Sequence, residues 1–405
     1  YYTTTGSIVG PTISGIKTKD MTKRTTLVTM SPTIEGTSGS KEPIHSFSMT
    51  DNYAIISAPQ ADINNTEQGL IVILKNNAGT WVVDSSFNGP ELTNGRFGSY
   101  CYMNDTYAFV STYKGAVIES RRKIALYKRE NNVWTLKSDL NNNSAQHGDL
   151  WNLPSNSYGA CIAGYGDDII IMTKNNGIKL VTKDNGTDTW TDQTSNLPTS
   201  VTSGYVSNTN NWSTGKTTCS EPLDMNADYI VVGDYAHSNG GTQRGKVYVI
   251  KRSNMSVIAS LTEEGGGVNY EKFGNRVRLS SNNYLVVGTQ AQYPLPDDVS
   301  IYKIDGTTVT YLAKLPAPNG ESKNQFGYNS LDIACDSGNT YVMVINGGSN
   351  GDYVVYKRLS DTNWEEYDTL PQPSEANASN QPWNIYASLM YKKDIFTGKC
   401  VNVSG

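Results

Sequence analysis

Short apolar runs, each opened by a polar turn, recur along the chain. They are rich in Val, Ile and Tyr, and they occupy residues 51–57, 105–111, 167–172, 227–233, 282–288 and 339–344. Successive starting points are therefore 54, 62, 60, 55 and 57 residues apart. A near-fixed period of this length indicates an array of supersecondary units, none of which can bury its apolar face alone.

Each unit has further recurring parts. An aromatic-Gly pair precedes the run in four units, at Phe97-Gly98, Tyr158-Gly159, Phe273-Gly274 and Phe326-Gly327. A second alternating run follows, at residues 69–75, 123–129, 177–182, 245–252, 299–303 and 353–358, and then a third that often contains Trp. Runs of this length, bounded by Asn, Asp and Gly, are typical of strands and turns. Four strands per unit predict the blade of a β-propeller.

Six units span residues 44–373 and leave two ends, residues 1–43 and 374–405. Each end holds short strand-like segments that are too few for a four-stranded sheet, but together they suffice. A ring must hide its strand edges, and a blade built from both ends would do so. We predict an all-β fold, a single β-propeller with seven four-stranded blades whose last blade is closed by N- and C-terminal strands. Six or eight blades are the alternatives.

The order of these parts resembles the FG-GAP repeat, the blade type of integrin α-subunit propellers and of many large secreted proteins. The best copy is residues 273–288 with the closing run 311–315, and the resemblance covers nearly the whole chain. Integrin-type blades carry an Asp-x-Asp-x-Asp-Gly calcium loop before the central run. The corresponding turns here, 50–52, 226–228 and 281–283, are too short and too weakly acidic to supply six to eight oxygens. The chain resembles a calcium-free variant, and we expect no metal and no cofactor.

Eight Asn-x-Ser/Thr sequons, most of them in predicted loops, favour a glycosylated, extracellular or cell-surface protein. They lie at Asn64, Asn104, Asn142, Asn185, Asn211, Asn254, Asn377 and Asn402. No apolar stretch reaches the length of a transmembrane helix, so we expect no direct membrane insertion.

Five cysteines form no CxxC pair and no metal-ligand spacing. Cys101 and Cys161 both follow an aromatic-Gly pair, and a bridge between them requires a Cα separation below about 7 Å. A Cys335–Cys400 bridge would join the closing blade to its neighbour. Buried free thiols are the alternative for all of them.

Charge and motif content argue against catalysis and against nucleic acid. Charged residues make up 18 % of the chain, the net charge is −5, and no basic stripe is present. His45, His147 and His237 are expected in solvated turns. No catalytic motif occurs, although Asp168, Asp228 and Asp234 hold comparable positions in their units and could meet in a central channel. We expect the protein not to be an enzyme.

The leading hypothesis is an extracellular structural or adhesive glycoprotein, a subunit of a surface appendage, coat or filament. Its partners would be itself, as a homopolymer, or other extracellular proteins and glycans. A monomeric glycan- or protein-binding propeller module is the alternative, and a propeller glycoside hydrolase or lyase is a third. Residues 1–43 could instead donate strands to a neighbouring subunit. Aromatic residues in or beside long loops are candidate ligand contacts, with loop anchoring as the alternative role: Tyr113, Tyr205, Trp212, Tyr235 and Tyr293.

Overall fold

The chain forms four-stranded antiparallel sheets from strands that are mostly consecutive in the sequence. The computed structural model describes residues 12–16, 25–29, 46–59, 61, 68–89, 96–112, 124–137, 160–173, 177–184, 186, 189–202, 221–238, 244–263, 272–289, 298–315, 326–327, 331–345, 353–370, 388–391 and 394–399.

Six sheets, called blades 1 to 6, each contain four consecutive strands. Blade 1 is β3 (Ser46–Met49), β4 (Tyr53–Ala58), β5 (Leu70–Asn77) and β6 (Thr80–Asn88), and blade 2 is β7 (Phe97–Met103), β8 (Tyr107–Thr112), β9 (Ile124–Glu130) and β10 (Val133–Leu136). Blade 3 is β11 (Ala160–Tyr165), β12 (Asp168–Thr173), β13 (Gly177–Lys183) and β14 (Trp190–Asp192), and blade 4 is β15 (Leu223–Met225), β16 (Tyr229–Asp234), β17 (Lys246–Lys251) and β18 (Ser256–Leu261). Blade 5 is β19 (Arg276–Leu279), β20 (Tyr284–Gly288), β21 (Val299–Asp305) and β22 (Thr308–Leu315), and blade 6 is β23 (Leu331–Asp336), β24 (Asn339–Ile345), β25 (Tyr353–Arg358) and β26 (Trp364–Leu370). A 3-10 turn (Thr194–Asn196) and a short helix α1 (Thr199–Thr202) follow β14.

A further four-stranded sheet combines the two ends of the chain. It contains β1 (Thr12–Ile16), β2 (Thr25–Thr29), β27 (Ser388–Tyr391) and β28 (Asp394–Lys399), in the order β2-β1-β28-β27. We call it the terminal sheet. Strands β1 and β28 pair antiparallel, with Ser14 opposite Thr397.

The first strands of the sheets surround one axis. Strands β3, β7, β11, β15, β19 and β23 contact one another in this order, and β27 contacts both β23 and β3. The terminal sheet therefore lies between blades 6 and 1. The expectation of an all-β, single β-propeller with four-stranded blades is confirmed. Among the described residues, no helix is long and apolar enough to cross a membrane.

The two faces of the propeller differ. In blades 1 to 6, connections from first to second and from third to fourth strands span two to six residues, as at 78–79 and 184–189, and they begin and end at one face, here called the turn face. The remaining connections share the opposite face, the loop face, and range from three residues (174–176) to thirty (193–222). The strand ends at the turn face of blades 1 to 6 are therefore joined by short turns, whereas those at the loop face are joined by connections of widely varied length.

The second strand of each blade supplies the core. All six residues of β4, β8 and β16 are buried, because a sheet packed between two neighbours has two covered faces. Ile55, Phe109 and Val231 have no exposed side-chain surface. Each such residue stabilises the fold by about 1.5–3 kcal/mol, and that burial exists only when the neighbouring blade is present.

A tyrosine of one blade packs on a tryptophan of the next. The ring centroids of Tyr53 and Trp134 are 5.6 Å apart at an angle of 82°, and those of Tyr107 and Trp190 are 5.3 Å apart at 90°. The Tyr284–Trp364 pair repeats this contact between blades 5 and 6 at 6.2 Å and 79°. Edge-to-face pairs of this kind add about 0.5–1.5 kcal/mol beyond the area they bury.

A cation from the next blade completes these contacts. Arg129 lies 4.7 Å from the Tyr53 ring, Lys183 lies 5.8 Å from Tyr107, and Arg358 lies 5.1 Å from Tyr284. The recurring Tyr, Trp and Lys or Arg of the sequence therefore serve one purpose, which is to hold consecutive blades together on the turn-face side.

The aromatic-Gly pair holds the blades together on the loop face. Phe273 is fully buried, and its backbone forms a parallel bridge to Gly245 of the preceding blade. A Cβ at Gly245, where φ is +82°, would lie 2.1 Å from the Phe273 carbonyl oxygen. Only glycine allows this approach of two backbones. Phe97 forms the same bridge with Gly69.

Candidate functional site: the innermost strands and the loop face

A charged cluster joins the innermost strands of blades 4, 5 and 6. Arg278 on β19 forms an ion pair with Glu221, which precedes β15, and its Nε lies 3.7 Å from Asp332 Oδ1 on β23. Arg276 Nη1 lies 3.2 Å from Glu221 Oε2, and its side chain is fully buried. Two guanidinium groups of blade 5 therefore balance carboxylates of blades 4 and 6. We call Glu221, Asp224, Arg276, Arg278 and Asp332 the inner-strand cluster.

Asp224 is a partly buried carboxyl group of this cluster that contacts the backbone of the next blade. Its Oδ2 accepts a hydrogen bond of 2.6 Å from the Leu279 N–H of blade 5, and its Oδ1 accepts one of 2.8 Å from the Met225 N–H. Burial raises the pKa of Asp224 to about 7, the charge of Asp332 adds to the rise, and the two backbone donors oppose it. Burial also lowers the pKa of Arg278, against the field of Asp332.

Elsewhere in the ring, serine side chains accept hydrogen bonds from the backbone of the next blade, as Asp224 does. Ser46 Oγ and Ser48 Oγ of β3 accept hydrogen bonds from the N–H groups of Cys101 and Met103 on β7, at 3.1 and 3.0 Å. Asp224 and these serines thus bind the innermost strand of the following blade through its backbone. The carboxylates of the inner-strand cluster are occupied by guanidinium groups and backbone donors, so the arrangement acts as a tie between blades.

The acid cluster considered for Asp168, Asp228 and Asp234 is not formed. Asp168 forms an ion pair with Arg252, whereas Asp228 lies in a turn and accepts a hydrogen bond from Asn283 Nδ2 at 3.1 Å. These two lie at the turn-face end of the second strands, and Asp234 lies at the opposite end. Carboxylates at opposite ends of the strands cannot meet in one channel site, and the acids on the described innermost strands are Asp224, Asp332 and Asp336 instead.

Asp234 pairs with the one histidine that the structure describes. His237 Nδ1 lies 3.3 Å from Asp234 Oδ2, and the His237 carbonyl oxygen accepts a hydrogen bond from the Gly245 N–H. Burial raises the pKa of Asp234, and the neighbouring His237 opposes that rise. These contacts order the start of the 235–245 connection. His45 and His147 lie outside the described residues.

The candidate disulfides are not formed by the cysteines that the structure describes, which are free thiols, the alternative stated above. Cys101, Cys161 and Cys335 are free thiols, which excludes both the Cys101–Cys161 and the Cys335–Cys400 bridge in this structure. Cys101 Sγ donates a hydrogen bond to Ser46 Oγ at 3.3 Å, and Cys335 Sγ lies 2.7 Å from Asn282 Oδ1. Each of these two sulfur atoms therefore has a polar partner in a neighbouring blade. Cys400 and Cys219 lie outside the part of the chain whose side chains are described.

Neither buried thiol is a nucleophile. Burial raises the pKa of Cys101 to about 12 and that of Cys161 to about 12, in the second case against the fields of Arg278 and Arg276. Since the thiolate is the reactive form, both remain inert near neutral pH. No group of three or more potential metal ligands occurs among the described residues.

Two of the sequons lie in described turns, and their side chains differ. Asn104 is partly buried, and its Nδ2 donates a hydrogen bond of 2.8 Å to the Gly166 carbonyl oxygen of blade 3. Its Oδ1 accepts from the Thr106 and Tyr107 N–H groups. Asn254 is exposed, and its Oδ1 accepts from Ser256. The nitrogen that would carry a glycan is thus bound between blades at Asn104.

The other candidate positions belong mainly to the loop face. Tyr235 is only 8 % exposed, so it anchors its connection and is not presented to a ligand, which corrects that prediction. The remaining contact candidates lie outside the described residues, in connections whose ends emerge on the loop face: Tyr113, Tyr205, Trp212 and Tyr293. The remaining sequons also lie outside the described residues: Asn64, Asn142, Asn185, Asn211, Asn377 and Asn402.

Exposed large apolar side chains mark the other side of the disc. Among the described residues, Val82 and Val83 lie on β6 and are 42 % and 52 % exposed, and Val133 begins β10 and is 57 % exposed. All three lie in the half of an outermost strand that is next to the turn face, and Leu359 lies in the turn before β26. Leu136 at the end of β10 and Tyr165 at the end of β11 are exposed as well. The sequence pattern did not predict this surface, because all residues of the apolar runs were expected to be buried in the core.

Comparisons with known proteins add no family. No family model matches the chain, and no curated protein matches it. The propeller domain of Cps50 (Swd1) from Myceliophteria thermophila is 12 % identical with a TM-score of 0.48, over 90 % of this chain and 98 % of that one. A protein from Lactobacillus plantarum is 11 % identical with a TM-score of 0.49, over 90 % and 97 % of the two chains. Raptor from Chaetomium thermophilum is 10 % identical with a TM-score of 0.49, over 90 % of this chain and 28 % of that one.

Proposed function

We propose that this protein is an extracellular structural and adhesive glycoprotein of the FG-GAP type, without catalytic activity, that serves as a subunit of a surface appendage, coat or filament. One observation carries the proposal, namely the division of the disc into two unlike faces. In blades 1 to 6, the connections that begin and end at the loop face reach thirty residues, whereas those at the turn face are no longer than six. Long loops on a rigid scaffold are where proteins place their binding residues.

The chemistry of the innermost strands supports a non-catalytic role. The guanidinium groups of Arg276 and Arg278 balance the carboxylates around them, and Asp224 is bound to two backbone donors. A general acid or base must be within reach of substrate and free to exchange its proton. These groups are instead part of the contact between blades.

The terminal sheet is proposed to act as the seventh blade. It lies between blades 6 and 1, where its innermost strand β27 contacts β23 and β3. A sheet in this place covers the edges that an open six-bladed arc would expose. A rigid, closed disc is a suitable building block for an extracellular assembly.

The apolar side chains at the turn-face end support packing between subunits. Val82, Val83 and Val133 belong to adjacent blades, and exposed apolar groups gathered on one region are typical of interaction surfaces. A monomeric glycan- or protein-binding module is the second candidate, which the loop face also favours. Binding of a glycan or protein by isolated discs that never associate would favour this second candidate.

The test is the location and modification of the native protein. Fractions of the source material, from the medium, the cell surface and the cell interior, would be probed for the chain, and its peptides would be mapped for N-glycans by mass spectrometry. The proposal predicts a glycosylated chain in the medium or surface fraction. An unmodified chain confined to the cell interior would contradict it.

A further inference from the structure

We propose that the β1–β2 hairpin is exchanged between copies of this chain, so that the hairpin of one copy completes the terminal sheet of the next. This proposal rests on the proposed assembly function. The partner would be a second copy of the chain, and the contact would be the β1–β28 strand pair.

The terminal sheet differs from the other sheets because its four strands are not consecutive in the sequence. Blades 1 to 6 each use four consecutive strands, whereas the terminal sheet joins strands nearly 400 residues apart. Its two halves are hairpins, β1–β2 and β27–β28, which meet along one strand pair. That pair is five residues long, from Thr12 opposite Lys399 to Ile16 opposite Ile395.

If the β1–β2 hairpin leaves the terminal sheet, strand β28 loses its pairing partner. Without β1 and β2, strand β28 has an open edge, and a two-stranded hairpin alone is marginally stable in water. An incoming β1–β2 hairpin from another copy would make the same pairs in the same register, because the sequences are identical. The closed and exchanged states therefore have the same contacts and differ in linker entropy and protein concentration.

The connection to blade 1 is long enough for exchange. Residues 30–45 join β2, the outermost strand of the terminal sheet, to β3, the innermost strand of blade 1. Crossing three strand spacings needs about 14 Å, whereas sixteen residues span at most about 55 Å. Residues 89–96 make the corresponding step from β6 to β7 with eight residues.

The form of the product follows from the geometry. Each copy would donate one hairpin and accept one, through two different surfaces of the same ring. Such a head-to-tail contact forms closed rings when its rotation closes, and open filaments when it does not. A filament of discs is the kind of structure that the proposed function requires.

The experiment places single cysteines on opposite sides of the exchanged pair. Full-length Ser14→Cys and full-length Thr397→Cys are unfolded, mixed and refolded together over a range of concentrations, then analysed without reductant. The double variant Ser14→Cys/Thr397→Cys, refolded alone at low concentration, reports whether the two positions can be bridged at all. A mixture of Ser14→Cys with Asp305→Cys, at the exposed end of β21 in blade 5, gives the background of random coupling.

Exchange predicts a reducible heterodimer of about twice 44.3 kDa that increases with concentration and exceeds the background at least tenfold. A double variant bridged fully within its own chain, together with a mixture that gives only background at every concentration, would overturn the inference. A double variant that does not bridge would overturn it as well, because the β1–β28 pairing would then be wrong. Filaments without heterodimer would refute exchange and leave the proposed assembly function standing.

Discussion

Tyr53 of blade 1 lies edge-on to Trp134 of blade 2, with ring centroids 5.6 Å apart, and Arg129 of blade 2 lies over the same tyrosine ring. Residues 81 positions apart in the chain thus form one contact between neighbouring units. Equivalent contacts at Tyr107–Trp190 and Tyr284–Trp364 show that the pair is part of the repeat.

Replacing Trp134 by Ala should destabilise the protein by about 3–5 kcal/mol, because a buried indole is lost and a cavity remains. The control is Val133→Ala, one residue earlier on the same strand and 57 % exposed, which should change stability by less than about 0.5 kcal/mol. Urea unfolding followed by fluorescence or circular dichroism measures both. Equal effects of the two substitutions would show that Trp134 does not hold the blades together.

Replacing Gly245 by Ala should be far more damaging than replacing Gly338. Both glycines have φ of +82°, so the backbone strain of Ala is the same at the two positions. A Cβ at Gly245 would meet the Phe273 backbone at 2.1 Å, whereas at Gly338 it meets nothing within 4 Å. Thermal unfolding of the two variants compares the loss of stability from backbone strain alone, at Gly338, with the loss from strain and steric contact together, at Gly245. Equal losses of stability would mean that the aromatic-Gly bridge does not constrain the ring.

Much of the fold could be predicted from the sequence, because the second strand of each blade is a short β-branched run that recurs at a near-constant period. The contact between Tyr53 and Trp134 could not be predicted. Both residues recur in the repeat, but they belong to different units, and the repeat does not show which residues of neighbouring units are in contact. The inner-strand cluster was missed for a similar reason. Glu221 precedes β15 and Arg278 lies within β19, two strands of only three and four residues, and their 57-residue separation carries no motif.

The stability of the protein should fall as the pH rises from about 4 to about 7, in part through Asp224. The pKa of this carboxyl is raised from 3.8 to about 7 in the folded protein, so the folded state binds the proton more tightly than the unfolded state does. Its stabilising effect is complete below pH 4 and is lost as the pH passes 7. The loss is at most about 4 kcal/mol, because Asp224 is partly exposed and solvent screens its charge.

Asp224→Asn should remove this part of the pH dependence, because Asn does not titrate. Asp305→Asn, at the exposed end of β21 in blade 5, should leave the dependence as it is in the native chain. Urea unfolding at pH 4, 5.5, 7 and 8 supplies the comparison. An Asp224→Asn variant whose stability follows the same pH curve as the native chain would show that Asp224 is not the titrating group.

N-glycosylation should occur at Asn254 and not at Asn104. The Asn104 Nδ2 is held by the Gly166 carbonyl oxygen, whereas Asn254 is exposed in a four-residue turn. Glycopeptide mapping of the natively produced chain measures occupancy at both positions. High occupancy at Asn104 would mean that the modification precedes formation of the contact between blades 2 and 3.

The central claim, that this disc is a structural subunit, is tested most directly by negative-stain electron microscopy of the native protein, with its mass measured in parallel by light scattering. The account predicts filaments, sheets or other regular arrays of discs that grow with concentration. Isolated discs with the mass of a single chain plus its glycans, at every concentration tested, would contradict it.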